Sequence, residues 1–233
     1  MKYLNNFESF LNEGRSKYDG IASQLVKATF RQWIQDWNSG AKSSEFSEVV
    51  ELQGLEFDLN ATIYFDKAHG QKIDGFKVLD STGADSRDYD EEDDTDQTPF
   101  IIIDFGVTSE WLPGYWQDIY MHLADVMRHE MEHITQGGEG IGNYRPGKPS
   151  EDDSFTRSLI TQGLLPQSTY LMLPKEVDAN LHGLRFEAKK RKEPMSDAVN
   201  RYLDTQDLSD EERNNVLNLW RERAKKIGGI PSF

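Results

Sequence analysis

The segment RHEMEHITQ, from Arg128 to Gln136, constrains the fold most, because it contains the motif His129-Glu130-Met131-Glu132-His133. On a helix, two histidines four positions apart project from one face, about 6 Å apart along the axis, so both can reach one metal ion. We therefore predict a helix from Trp116 to Gln136. Its apolar residues recur at helical spacing, namely Ile119, Leu123, Val126, Met127 and Ile134.

The H-E-x-x-H spacing is typical of a metal site with a catalytic carboxylate. Both imidazoles can reach one ion at the usual Zn–N distance of about 2.0–2.1 Å. Glu130 points about 100° away around the helix, where it can act as general base and take a proton from a zinc-bound water molecule. The chain has no cysteine, so any metal must be held by His, Asp or Glu. The alternative is a polar helix face with both histidines hydrogen-bonded to neighbouring residues.

A zinc site needs a third protein ligand, for which four residues are candidates. His122 lies seven positions before His129, which is about 10 Å along the helix axis, so a supporting or core role is expected. Glu139 occupies the place of the last histidine in H-E-x-x-H-x-x-G-x-x-H proteins, but Gln136 replaces the glycine of that motif. The other two candidates lie in the next long helix.

That second helix is predicted from Lys175 to Lys192, with Pro174 at a favoured first-turn position. A glutamate from a second helix can complete a His₂Glu site, and Glu176 is the predicted third ligand. Asp178 remains the alternative. Asn180, one turn after Glu176, is predicted to hold a ligand histidine in its tautomer.

The motif helix and the glutamate helix together resemble those of gluzincin-type metallopeptidases. HEMEHITQ followed by LPKEVDA is similar to the pattern H-E-[L/M]-x-H-x-x-Q…P-x-E-x-x-A of small zincin-like proteins in bacteria and their phages, from Pro99 to Lys192. The resemblance implies a zinc metallopeptidase that binds one Zn²⁺ per chain and hydrolyses a peptide or protein substrate. It also implies that the last strand before the motif helix, Ile101 to Phe105, binds extended peptide by edge pairing. The chain departs from the pattern in its long connection from Gly137 to Leu173.

Peptide hydrolysis also needs a group that stabilises the developing oxyanion. Tyr170 and His182 flank the start of the glutamate helix in sequence, and Tyr144 lies in the long connection. Tyr170 is the predicted stabiliser, because a tyrosine shortly before the P-x-E segment is common in proteins that look like this one.

Periodicity along the whole chain predicts the α+β class. The resemblance to zincin-like proteins implies a small, mainly antiparallel sheet packed on the H-E-x-x-H helix and a second ligand-bearing helix. An amphipathic helix is predicted before the sheet, from Gly20 to Trp37. The predicted strands are Leu55–Asp66, Gly75–Leu79 and Pro99–Val107. Two closing helices, Ser196–Thr205 and Ser209–Lys226, are expected to pack on a single catalytic domain of residues 15–233, and Ser209 and Glu212 to form a capping box.

The net charge of −15 argues against nucleic acid as a partner. Much of the excess lies in Asp85–Asp96, which carries eight acidic residues and one arginine and is predicted to be a solvated hairpin loop. It lacks the glycine and the closing glutamate of an EF-hand loop. No apolar run approaches the roughly 20 residues that span a membrane, so no membrane partner is expected.

The first 14 residues, MKYLNNFESFLNEG, resemble the N-terminal peptides of proteins packaged in the heads of T-even-type tailed bacteriophages. The resemblance implies docking on the prohead core and cleavage by the prohead protease between Glu13 and Gly14. It further implies a location in the phage virion, in the head interior, and in the host bacterial cytoplasm. The alternative is an ordinary N-terminal helix packed on the domain.

The sequence therefore predicts a zinc metallopeptidase, with two alternatives. One is a structural or internal head protein that keeps a zincin-like fold without catalytic activity. The other is an amidase or deformylase-like hydrolase that acts on a non-protein amide.

Overall fold

The computed structural model describes residues 2–52, 55–65, 76–85, 98–107, 112–135, 151–227 and 229–233. Within these residues the predicted α+β class is confirmed. The elements in chain order are α1 (Lys2–Asn38), β1 (Ser43–Leu52), β2 (Leu55–Tyr64), β3 (Phe76–Asp85), β4 (Thr98–Val107), α2 (Trp116–Thr135), α3 (Glu151–Thr161), a 3-10 helix (Gln167–Met172), α4 (Pro174–Arg191), α5 (Met195–Asp204) and α6 (Asp210–Lys226).

The chain divides into two compact units. The sheet unit contains residues 22–147, and the helical unit contains residues 1–21 and 148–233. The predicted division into residues 1–14 and 15–233 stays a prediction. None of the described helices combines the length and the apolarity that crossing a membrane requires.

The sheet has the strand order β1-β2-β4-β3. β1 pairs antiparallel with β2, β2 pairs parallel with β4, and β4 pairs antiparallel with β3, so the sheet is mixed but mainly antiparallel, as predicted. Side chains alternate between the two faces of a strand, and one face of the two central strands is fully buried. Its residues are Phe57, Leu59, Ala61 and Ile63 of β2 and Ile101, Ile103, Phe105 and Val107 of β4.

The prediction that Ile101–Phe105 binds peptide as an edge strand is wrong. These residues belong to β4, which has a neighbour on each side: Phe105 stands opposite Ile63 of β2 and Val78 of β3. The two neighbours occupy the backbone donors and acceptors that an added strand would need. The edges of the described sheet are β1 and β3.

The strand predictions also missed β1 and placed the end of β3 too early. β3 continues to Asp85, which pairs with Thr98 at the start of β4. The acidic segment therefore begins inside a strand, and residues 86–97 of it lie outside the described residues. β1 was not predicted because its segment SSEFSEVVEL has no regular alternation of apolar residues.

In the sheet unit, α2 and the later part of α1 cover the buried face of the sheet. Trp33 of α1 is fully buried, donates its indole N–H to the carbonyl of Ala61 at 3.3 Å, and lies with its ring centre 5.3 Å from that of Phe105. Trp116, at the start of α2, meets Phe30 edge to face with centroids 5.4 Å apart. The contact of Trp116 with Phe30 packs the start of α2 against α1 and so helps to position the rest of α2.

α1 is one helix of 37 residues, where the sequence pattern suggested two separate segments. Gly14 and Gly20 each disfavour a helix by about 1 kcal/mol relative to alanine, but no proline interrupts the chain between the two segments. The predicted cleavage position between Glu13 and Gly14 lies within this helix, and cleavage there stays a prediction.

The helical unit has its own core, formed where α4, α5 and α6 pack together. The core residues include Leu171, Val177, Leu181, Leu184, Met195, Val199, Leu203, Val216 and Trp220. Trp220 donates its indole N–H to the carbonyl of Leu171 at 2.8 Å, which ties α6 to the 3-10 helix. The predicted capping box is confirmed, since the Ser209 hydroxyl accepts from the backbone N–H of Glu212 and the Glu212 carboxylate accepts from that of Ser209.

The predicted long connection from Gly137 to Leu173 contains two helical segments in its described part. Its second half contains α3 and the 3-10 helix, while residues 136–150 lie outside the described residues. α3 and the 3-10 helix supply the side chains that surround the predicted glutamate ligand.

Candidate metal centre

The two motif histidines lie together on the last turns of α2. Their Nε2 atoms are 3.1 Å apart, and the rings meet edge to face with centroids 4.8 Å apart. Two nitrogens bound at about 2.0–2.1 Å to one tetrahedral ion would stand about 3.4 Å apart. The spacing of His129 and His133 is therefore close to that of two ligands of a single metal ion.

Glu130 lies beside this pair, and its role as general base stays a prediction. Its side chain is buried, with 3% of its surface exposed, and its Oε1 atom is 3.8 Å from Nε2 of His129. The distance is too long for a direct hydrogen bond, so the carboxylate stands beside the imidazole rather than holding it. A carboxylate in this position can receive a proton from a water molecule next to His129.

Glu132, the other acid of the motif, has a different environment. It accepts a hydrogen bond from Arg128 at 2.8 Å, one turn earlier on α2, and Arg128 is fully buried. A buried guanidinium needs an acid close by, because an uncompensated charge in the interior is costly. Sequence reasoning missed this pair, although an Arg and a Glu at i and i+4 are a recognisable helical ion-pair spacing.

Glu176 belongs to the helical unit, in the first turn of α4, and only 1% of its surface is exposed. Arg157 of α3 donates from Nη2 to its Oε1 at 2.5 Å. Tyr170, on the 3-10 helix, also faces this carboxylate. Burial raises the pKa of Tyr170, and the charge of Glu176 and a hydrogen bond to it raise that pKa further.

Arg157 is a functional candidate that the sequence prediction did not include. Its guanidinium carbon lies 4.9 Å from the centre of the Tyr170 ring, within reach of a cation–π interaction. Burial works to lower the pKa of Arg157, but its interactions with Tyr170 and Glu176 outweigh burial, and the net shift is upward. Arg157 is separated from Glu176 by 19 positions, so no local spacing could have revealed the pair.

Asp178, the alternative ligand, is bound by an arginine through both oxygens. Arg223 donates from Nε to Oδ1 at 2.6 Å and from Nη2 to Oδ2 at 2.5 Å. Positions i and i+2 of a helix also point about 200° apart, so Glu176 and Asp178 face different surroundings. The ligand atoms of His129, His133 and Glu176 all lie within 4.8 Å of one another, and this favours Glu176 over Asp178 as a metal ligand.

The remaining predicted residues have the following positions. Asn180 donates its side-chain amide to the backbone carbonyl of Glu176 at 2.8 Å, which supports the turn that carries the glutamate. Its predicted contact with a ligand histidine stays a prediction. His122 packs edge-on against Phe105 with centroids 6.1 Å apart, in keeping with a core role, and His182 is buried within α4. Glu139 and Tyr144 lie outside the described residues.

Together, His129, His133 and Glu176 are a set of side chains that could hold a metal ion. Two imidazoles and one carboxylate suit zinc, although several first-row metals accept the same ligands. The chain matches no protein-family model, and neither curated protein sequences nor solved structures yield a match to it. Function must therefore be argued from these residues and their contacts.

Proposed function

We propose that this chain is a zinc-dependent metallopeptidase. In this proposal His129, His133 and Glu176 hold the ion, Glu130 is the general base, and Tyr170 stabilises the oxyanion. The observation that carries the proposal is the 3.1 Å spacing of the two histidine Nε2 atoms, with the buried carboxylate of Glu130 beside them. A polar helix face with the two histidines hydrogen-bonded to each other would give the same spacing, but it does not require the buried carboxylate of Glu130.

The chemistry follows from the ligand types and from the position of Glu130. Zinc, when bound, would polarise the substrate carbonyl and lower the pKa of an attacking water molecule. Glu130 would take the proton of that water and return it to the leaving amine. The burial of Glu130 supports this assignment, because a site shielded from bulk water strengthens each electrostatic interaction with the reacting atoms.

Tyr170 is assigned to the oxyanion because its hydroxyl stays protonated. Its pKa is raised above the usual value for tyrosine, so the group can donate a hydrogen bond throughout the neutral pH range. A donated hydrogen bond is what a developing oxyanion requires. The hydroxyl now faces Glu176, so Tyr170 must turn toward the substrate for this role.

A second candidate is a protein with the same fold and no catalytic activity, for instance an internal protein of a phage head. The ion pair between Arg157 and Glu176 favours it, because the arginine already neutralises the predicted ligand. The location in a phage head is supported by residues 1–14 alone. It would be tested by mass spectrometry of the chain from virions, where cleavage gives an N-terminus at Gly14.

The deciding experiment compares metal content and peptide hydrolysis in the wild type, Glu130→Gln and His133→Ala. Elemental analysis should find one zinc per chain in the wild type and in Glu130→Gln, and little in His133→Ala. Cleavage of a peptide library should be seen only with the wild type. Zinc binding without cleavage of any peptide would favour the non-catalytic protein or an amidase, and absence of zinc from the wild type would contradict the proposal.

A further inference from the structure

The carboxylate of Glu176 is buried and already has a cationic neighbour. A carboxylate that is 1% exposed must be compensated by a nearby cation or by hydrogen bonds, because its charge has lost contact with bulk water. In this structure the cation is Arg157, at 2.5 Å. A metal ion at Glu176 would bring two further positive charges to the same carboxylate.

The two partners differ in how easily they can move. Glu176 is fixed on α4, where Pro174 opens the helix and the backbone N–H of Val177 donates to the carbonyl of Leu173 at 2.9 Å. The side chain of Arg157 is 41% exposed and stands on the outer side of the pair. Arg157 can therefore withdraw toward solvent without unfolding its surroundings, and Glu176 cannot.

We propose that Arg157 is a latch on the metal site, which holds Glu176 in the metal-free chain and competes with the metal ion for it. The inference rests on the proposed function, because it takes Glu176 as a metal ligand. A guanidinium is charged at every physiological pH, so protonation does not open the latch. It opens when a divalent cation replaces Arg157 as the partner of Glu176.

Two physical effects determine whether Arg157 raises or lowers the affinity of the site for metal. The single charge of Arg157 repels a divalent ion bound to the same carboxylate, and this repulsion weakens the metal-bound state. The ion pair also stabilises the metal-free state, because Arg157 supplies a positive charge beside a buried carboxylate that Tyr170 already meets with a hydrogen bond. Both effects lower the affinity for metal, so removing the charge of Arg157 should raise it.

The same contact has an opposite interpretation, which the experiment must separate from ours. Partners of a ligating carboxylate commonly orient it, and their loss typically costs about 10–100-fold in metal affinity. An orienting arginine and a competing arginine therefore predict changes in opposite directions when the charge is removed.

The test measures the zinc affinity of the full-length chain by competition with a chromophoric chelator, for the wild type, Arg157→Gln and Arg157→Lys. We expect Arg157→Gln to bind zinc about tenfold tighter or more. Arg157→Lys keeps the charge but loses the planar guanidinium that stacks on Tyr170, so its zinc affinity should lie between those of the wild type and Arg157→Gln. Thermal unfolding provides a second measurement: Arg157→Gln should melt lower than the wild type without zinc and gain more from adding it.

The outcomes separate the latch from the function on which it rests. Equal or weaker zinc binding by Arg157→Gln, with normal binding by the wild type, overturns the latch and leaves the metal site intact. No zinc binding by any folded variant overturns both. Zinc binding by both proteins, with Arg157→Gln binding about tenfold tighter or more than the wild type, supports the latch. If Arg157→Gln fails to fold, Arg157→Met replaces it, because its aliphatic chain still packs on Tyr170, and the expected result is the same.

Discussion

Nε2 of His133 lies 3.1 Å from Nε2 of His129, one turn earlier on α2. At this distance one nitrogen must donate to the other, or a cation must lie between or beside them, since two lone pairs would repel. A shared metal ion satisfies both nitrogens at once.

We therefore expect His129→Ala and His133→Ala each to lower zinc affinity more than the roughly 10–100-fold typical of a supporting residue. Competition with a chromophoric chelator would measure this. His122→Gln is the matched control, because His122 lies on the same helix but packs against Phe105, and its substitution should leave the affinity unchanged. Equal loss in all three variants would indicate that the helix, rather than a metal ligand, had been disturbed.

The helix that carries these histidines was predicted almost to its last residue, from Trp116 to Gln136 against Trp116 to Thr135 in the structure. Strong periodicity made this possible: Ile119, Leu123, Met127 and Ile134 are all buried. β1 has no such pattern. It is an edge strand held by backbone pairing with β2, and its Val49 is 59% exposed. The apolar pattern of its sequence therefore does not indicate a strand.

The surroundings of Glu176 show a second limit of sequence reasoning. The glutamate could be proposed from a short local motif, but its partner Arg157 lies 19 positions away on a different helix. Periodicity reports which face of an element is buried, and it does not report which element packs on that face. Likewise, pairing on both sides of β4 depends on strand order, which the three predicted strands did not determine.

Glu130→Gln should strongly slow hydrolysis and keep the metal. Glutamine has nearly the same shape but cannot accept the proton of the attacking water, so kcat should fall by about 10²–10⁴-fold. Glu132→Gln is the control on the same helix turn, because Glu132 is engaged by Arg128 and has no proposed role in the reaction. Steady-state kinetics on a cleaved peptide, with zinc content measured in parallel, would show whether Glu130→Gln loses activity while it keeps the metal. Retained activity in Glu130→Gln would remove Glu130 as the base.

Glu132→Gln should instead lower stability. The substitution removes the negative charge beside the fully buried Arg128 and weakens the hydrogen bond between them, and hydrogen bonds to charged groups contribute about 1.5–3 kcal/mol. Urea unfolding would show a lower midpoint with an unchanged slope. Glu51→Gln, on the exposed side of an edge strand, controls for a general effect of removing one acid from an acidic protein. If Glu132→Gln and Glu51→Gln lowered the urea midpoint equally, the loss of stability would not come from the Arg128–Glu132 pair.

The capping box of α6 should make part of the stability depend on acid pH. Hydrogen bonds from the Ser209 side chain, the Ser209 backbone and the Ser168 side chain lower the pKa of Glu212 from its usual value of 4.5. A carboxyl whose pKa is lower in the folded state stabilises that state above its unfolded pKa, and this contribution is lost as pH falls through the folded value. The melting temperatures of the wild type and Glu212→Gln should therefore differ at neutral pH and converge as the pH falls below 4.5. Glu211→Gln, in the same first turn but outside the box, should differ less from the wild type at neutral pH. A difference between the wild type and Glu212→Gln that stays constant from neutral to acid pH would show that the ionised carboxylate of Glu212 does not stabilise the fold.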